Sequence, residues 1–159
     1  MPLRPYRLLF VCTGNVCRSP MAAAFATEYA KTRQWPVTVL SASVIGLNGA
    51  LAAKNAIRAM REIDIDISDH RSTPLDRELV DWADYILVME LGHQISIHKT
   101  YSGTDGKVLM LGAFGGLVEV RDPLGSWRWR FRRSRNDIMR CVRGFMDQLP
   151  PPTENPEPT

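Results

Sequence analysis

The run VCTGNVCRSP, from Val11 to Pro20, holds Cys12 and Arg18 six residues apart. With 16 arginines in 159 residues that spacing alone is weak, arising by chance about once in ten for each cysteine. Its context gives it chemical meaning. The segment lies between an apolar run and a helical pattern, contains Gly14 and Asn15, and closes on Arg-Ser-Pro. A loop that wraps an anion must aim successive backbone N–H groups inward. Such curvature calls for left-handed backbone conformations, which Gly and Asn tolerate best. A helix opening near Arg18 adds the positive end of its dipole. Arg18 offers a planar fork that can take two phosphoryl oxygens at once. The same positive surroundings favour the thiolate of Cys12, and Ser19 can donate a hydrogen bond to it. The chemistry implied is phosphoryl transfer to sulfur. Cys12 is the nucleophile, Arg18 the clamp, and Thr13, Gly14, Asn15, Val16, Cys17 and Ser19 form the substrate-binding cradle.

The elements that must position this loop can be read from hydrophobic periodicity. Arg7 to Cys12 (RLLFVC) is a nearly continuous apolar run, as expected of a strand buried on both faces. Met21, Phe25 and Tyr29 recur at helical spacing after it, with Pro20 near the helix start. Pro36 breaks the chain, and Val37 to Ala42 forms a second strand. A second helix carries Ala52, Ala56, Ala59, Met60 and Ile63 on one face, followed by irregular chain from Asp64 to His70. A short helix over Leu75 to Trp82 leads into a third strand, Tyr85 to Glu90 (YILVME). A helix over Gly92 to Tyr101 and a fourth strand over Lys107 to Gly112 follow. The last helix runs from near Arg128 to Leu149, with Ile138, Cys141, Val142, Phe145 and Leu149 along its apolar stripe. Strands alternating with helices predict an α/β fold: a three-layer domain with a four-stranded parallel sheet and about five helices on both faces. In such sheets ligands bind beyond the carboxyl ends of the strands, where the Cys12 loop falls.

Length and composition bound the rest. The 159 residues suit one catalytic domain over 1–149, followed by a disordered Pro-rich tail, PPPTENPEPT, over 150–159. No apolar run approaches the roughly 20 residues of a membrane span. The short stretch Leu8 to Val11 is not a signal sequence, so no membrane partner is expected. Three cysteines do not make a disulfide framework, which points to thiols and the cytoplasm. Eight arginines between Arg121 and Arg143, interleaved with Trp127, Trp129 and Phe131, could favour acidic partners or RNA. The plainer reading of that segment is the solvated face of a helix.

The loop, from Val11 to Pro20, closely resembles the signature of low-molecular-weight protein tyrosine phosphatases of bacterial type. The resemblance extends from about Arg7 to Leu149. Ser41 to Ser43 (SAS) resembles the family's segment after the second strand, ADYILVME its third strand, and Asp122-Pro123 its acid-bearing loop. The resemblance implies a phosphomonoester hydrolase acting on protein phosphotyrosine through a cysteinyl-phosphate, with Cys12, Arg18 and Asp122 as catalytic residues. It implies Ser41 and His70 as supporting residues that, with Ser19, hold Asn15. It also implies a reversible Cys12–Cys17 disulfide under oxidation. No metal and no cofactor are expected. The partner is a phosphorylated protein substrate, nucleic acid is not expected, and the chain is expected to be a monomer.

Departures from that pattern bear on substrate. Leu124 and Gly125 stand where tyrosine-specific members carry aromatic residues, leaving Trp127 or Trp129 as candidates for that role. The chain also resembles protein arginine phosphatases in its C-T-G-N opening. Those carry threonine where Val16 stands, so Val16 leans towards the tyrosine branch and phosphoarginine is the alternative substrate. Arsenate reductases that share the loop need two further relay cysteines near and beyond the third strand, and none lies between Cys17 and Cys141. An alternative of another class is an anion- or RNA-binding module using segment 121–143.

Overall fold

A computed structural model describes residues 4–150, so all but the first residue of the expected tail lie outside the described residues. Four strands, β1 (Tyr6–Cys12), β2 (Val37–Ser43), β3 (Tyr85–Val88) and β4 (Val108–Met110), form one parallel sheet in the order β2-β1-β3-β4. The helices are α1 (Arg18–Arg33), α2 (Lys54–Arg61), α3 (Arg77–Trp82), α4 (Leu91–Thr100) and α5 (Arg128–Gln148). The expected four-stranded, three-layer α/β architecture is present.

Alternation along β1 builds the layers. Leu8, Phe10 and Cys12 join a core with Met21 and Phe25 of α1 and Ile138, Val142 and Phe145 of α5. Leu9 and Val11 face the opposite side and pack with Val80 of α3 and Ile97 of α4. Leu8 to Val11 are all fully buried, so truncating any of them to alanine costs about 2–5 kcal/mol. The strand order changes direction between β1 and β3, which opens a crevice at their carboxyl ends. The loop after Cys12 and the turn after Val88 both lie on that crevice.

Several boundaries differ from the periodicity. β3 ends at Val88, and Glu90 instead caps α4, its side chain and that of His93 exchanging hydrogen bonds with backbone N–H groups. β4 stops at Met110, and Leu111–Gly115 forms a 3-10 turn in place of the expected strand end. α3 starts only at Arg77, because Asp76 accepts a hydrogen bond from Leu79 N as its N-cap. Ala52 and Ile63 flank α2 rather than belong to it, yet both pack into the α1–α5 core. The 3-10 turn lies against α5 so closely that a Cβ on Gly144 would collide with the Phe114 carbonyl, and one on Gly115 with Cys141.

Candidate active site

The loop from Thr13 to Cys17 is turned inside out relative to ordinary chain. Its carbonyls point outward to neighbouring segments: Cys12 O accepts from Val44 N at 3.0 Å and Thr13 O from the Ser43 hydroxyl at 2.6 Å. Asn15 O accepts from His70 Nε2 at 2.7 Å and Val16 O from Ala53 N at 2.9 Å. Among the described residues, none of the backbone N–H groups of Thr13 to Cys17 has a protein acceptor. α1 follows at once with no acidic residue in its first turn and no side-chain cap. The donors of the loop and of the helix start therefore converge on one concave face, which is an anion-binding arrangement.

Asn15 sets the curvature. It is the loop's one residue with positive φ, at 56°, and it is fully buried. Asn tolerates this conformation better than most side chains. Its amide is spent on holding the turn: Nδ2 donates to Ser19 Oγ at 2.7 Å and Oδ1 accepts from Thr73 N at 2.9 Å. Ser19 Oγ lies 2.9 Å from Cys12 Sγ. The Ser19 hydroxyl thus joins the nucleophile to the residue that sets the turn, accepting from Asn15 while lying within hydrogen-bond reach of the sulfur.

Arg18 is 1% exposed. Nη1 donates to Glu90 Oε1 and to Val120 O, both at 2.9 Å. Nη2 makes a long contact of 3.5 Å with Thr13 Oγ1 and lies 3.7 Å from Asp122 Oδ2. Nε has no hydrogen-bond partner among the described residues. One edge of the guanidinium is thus pinned and another keeps donor capacity beside the loop. Val120 fixes both ends of this arrangement, since its N–H donates to Met89 O at 2.9 Å while its carbonyl holds Arg18. Two residues on, Asp122 is exposed, with Oδ1 accepting from Leu124 N at 3.0 Å.

The histidines serve as neutral props. Burial lowers the pKa of His70 below the ordinary histidine value, outweighing its bond to Asn15 O. Burial, followed by the charge of Arg18, lowers that of His93. His93 Nδ1 accepts from Glu90 N at 3.2 Å, so in the neutral ring the proton sits on Nε2, which donates to Thr13 Oγ1 at 2.9 Å. The Cys17 thiol is 3% exposed and pushed up to about 12, mainly by burial and then by Asp122 and Cys12.

The sequence-derived residues Cys12 to Ser19, His70 and Asp122 come together here. Ser41 does not. It makes none of the hydrogen bonds to Asn15; that amide is held by Thr73 N, and the serine bound to the loop is Ser43. The register explains this, because Ser43 pairs with Cys12 whereas Ser41 pairs with Phe10, one pleat short of the loop. Glu90, His93, Thr73 and Val120 were not foreseen as site residues. For Glu90 a signal existed: a carboxylate just after a buried strand lies at the sheet edge where ligands bind.

Residues 7–153 match the family model for low molecular weight phosphotyrosine protein phosphatase. A protein-arginine-phosphatase of Geobacillus stearothermophilus is 36% identical over 148 residues, 91% of this chain and 97% of its own. A low molecular weight protein-tyrosine-phosphatase of Acinetobacter johnsonii is 40% identical over 136 residues, covering 85% and 92% respectively. A solved arginine phosphatase, a cysteine-to-serine mutant with a phosphorylated active-site serine, superposes with a TM-score of 0.85. It shares 32% identity and covers 90% of this chain and 95% of that one.

Proposed function

The chain belongs to the low molecular weight phosphotyrosine protein phosphatase family, and on that premise we propose a metal-independent protein-tyrosine phosphatase working through a cysteinyl-phosphate on Cys12. The observation that carries this reading is the set of inward donors from Thr13 to Cys17 around a cysteine held 2.9 Å from the Ser19 hydroxyl. Phosphate oxygens satisfy those donors, while the pinned Arg18 supplies its remaining N–H groups to the equatorial plane.

In the first step Cys12 sulfur attacks phosphorus in line. The S–P bond forms, the P–O bond to the tyrosine oxygen breaks, and Asp122 gives that oxygen its proton. In the second step water attacks the phosphocysteine, Asp122 takes the proton, and the S–P bond breaks to release inorganic phosphate. Loop charge stabilises both transition states without a metal, because charge spread over three equatorial oxygens meets fixed donors. The phosphorylated serine of the solved relative supports a covalent step at this position.

Phosphotyrosine is favoured over phosphoarginine by the apolar wall. Val16 carries no hydroxyl, and a Cβ at Gly14 would touch both Val16 and Leu47 at 3.6 and 3.8 Å. Trp129 lines a cleft with Asp122 and Pro123 and is the better candidate for ring contact, whereas Trp127 is 78% exposed away from it. Phosphoarginine is the second reading, favoured by Thr13 and by the 36% identical relative. The three unpaired cysteines support a cytoplasmic location. Several of the arginines from 121 to 143 have protein partners: Arg132 and Arg135 pair with Glu62, and Arg140 with Asp137. This weighs against a nucleic-acid module.

The test is Cys12→Ser. Turnover of p-nitrophenyl phosphate should be abolished while inorganic phosphate still binds. Retained turnover would sink the reading.

A further inference from the structure

A cleft of about 320 Å³ is lined on one side by Asp122 and Pro123 of the acid loop. Three arginines and three carboxylates line it, and two of the carboxylates have arginine partners that lie outside the lining. Asp137 has Arg140 at 3.3 Å and Asp122 has Arg18 at 3.7 Å, while Glu119 accepts from Leu91 N at 2.7 Å and keeps its charge, so the cleft is left with more positive than negative charge. Arg121, Arg130 and Arg133 also line it, and none has a carboxylate within 4.0 Å among the described residues. Arg130 is braced on the Trp129 ring, 5.3 Å from its centroid, which narrows the positions its charge can take. Ser134 also lines the cleft; it is 6% exposed, and its hydroxyl has no hydrogen-bond partner among the described residues. A buried, unpaired hydroxyl is costly unless something bonds to it.

We propose that this cleft is an anion subsite receiving a second acidic group of the substrate polypeptide, a carboxylate or a phosphate on a residue flanking the phosphotyrosine. The proposal rests on the phosphatase reading above. Asp122 is 3.7 Å from Arg18 and also lines the cleft, so a chain leaving the catalytic loop past the acid enters the subsite directly. Its occupant is polypeptide rather than free ion because the cleft is much larger than one phosphate and combines arginines with the indole of Trp129.

The experiment compares kcat/KM for three phosphotyrosine peptides of equal length, whose flanking residues are glutamine, glutamate or phosphoserine, with p-nitrophenyl phosphate as the substrate lacking flanks. The wild-type chain should prefer at least one acidic peptide over the glutamine peptide by about tenfold. The glutamate and phosphoserine arms tell which anion the subsite takes. In the double variant Arg130→Gln, Arg133→Gln the preference should collapse to within about twofold, with p-nitrophenyl phosphate turnover unchanged. Equal rates on all three peptides overturn the proposal, as does a preference that survives in the variant. So does loss of aryl phosphate turnover in the variant alone, which would make these arginines part of the reaction or the fold. Absence of aryl phosphate turnover in the wild-type chain would instead remove the phosphatase reading on which the subsite depends.

Discussion

Arg18 and Glu90, 72 residues apart in sequence, meet at 2.9 Å through Nη1 and Oε1. The bond spans the switch point between β1 and β3, so the sheet topology fixes where the guanidinium stands. Without Glu90, a buried arginine loses its only charged partner within 3.0 Å among the described residues and can swing within the loop. Glu90→Ala should lower kcat/KM on an aryl phosphate roughly ten- to a hundredfold, the value of a charge-assisted bond. Glu90→Gln, which can still accept from Nη1, should lose less. Steady-state kinetics beside thermal melts of both variants would check this, and an alanine variant within twofold of wild type would contradict it.

Asp122 reaches the site from a loop that leaves it exposed, 3.7 Å from Arg18 and steadied by Leu124 N. If it protonates the leaving oxygen, its removal matters most where that oxygen most needs a proton. Asp122→Ala should slow turnover by roughly 10²–10⁴, with a larger loss on phenyl phosphate than on p-nitrophenyl phosphate. Equal losses on the two would deny it the acid role.

His70 supports the loop as a neutral donor to Asn15 O, and burial lowers its pKa, as it does for His93. Below about pH 6.5 the unfolded chain takes up protons that the folded chain resists. The stability from these two groups is therefore complete above that pH and is lost as pH falls towards their lowered folded values. Urea midpoints measured between about pH 7.5 and 5.5 should decline, and His70→Gln should flatten the decline. A level profile in the wild-type chain would mean that neither ring is held neutral.

Two cysteines of one loop should differ sharply in reactivity. Cys12 faces the inward donors and Ser19, while burial and Asp122 push Cys17 up to about 12. At about pH 7, iodoacetamide should label Cys12, and inorganic phosphate should slow that labelling. Cys17 should stay unlabelled until the chain is unfolded. Peptide mass spectrometry reads both positions at once, and rapid labelling of Cys17 in the folded chain would contradict the account.

How much of this was legible depended on whether the signal was local. Cys12, Gly14, Asn15 and Arg18 announce themselves because one short turn must do all its work with adjacent residues. The central strands β1 and β3 were legible for a similar reason, since each carries a continuous apolar run. Val120 and Thr73 were not, because their roles come from backbone hydrogen bonds between distant segments that periodicity does not encode, and Glu90 offered only its place at the carboxyl end of a buried strand. Ser41 was placed on the right strand and face, but one pleat from the residue that touches the loop. The close packing of the 3-10 turn on α5, which requires no side chain at Gly115 and Gly144, also has no local signature.

Val16 is the position where shape and polarity can be separated. Its carbonyl is fixed by Ala53 N at 2.9 Å, so the backbone will not follow a change of side chain. Its Cγ2 lies 3.6 Å from where a Gly14 Cβ would stand, on the wall that Leu47 completes. Threonine matches valine in shape but not in polarity, so at this half-buried position Val16→Thr changes the chemistry of the wall rather than its form. If this side chain selects the phosphorylated group, the variant's ratio of phosphoarginine to phosphotyrosine hydrolysis should rise about tenfold, the effect of one hydrogen bond to a charged group. Matched peptides carrying each modification, assayed by phosphate release with wild type and variant, give the ratio directly. A ratio unchanged within twofold would mean that the side chain at position 16 does not choose the substrate, and would move that role to residues around Asp122 such as Trp129.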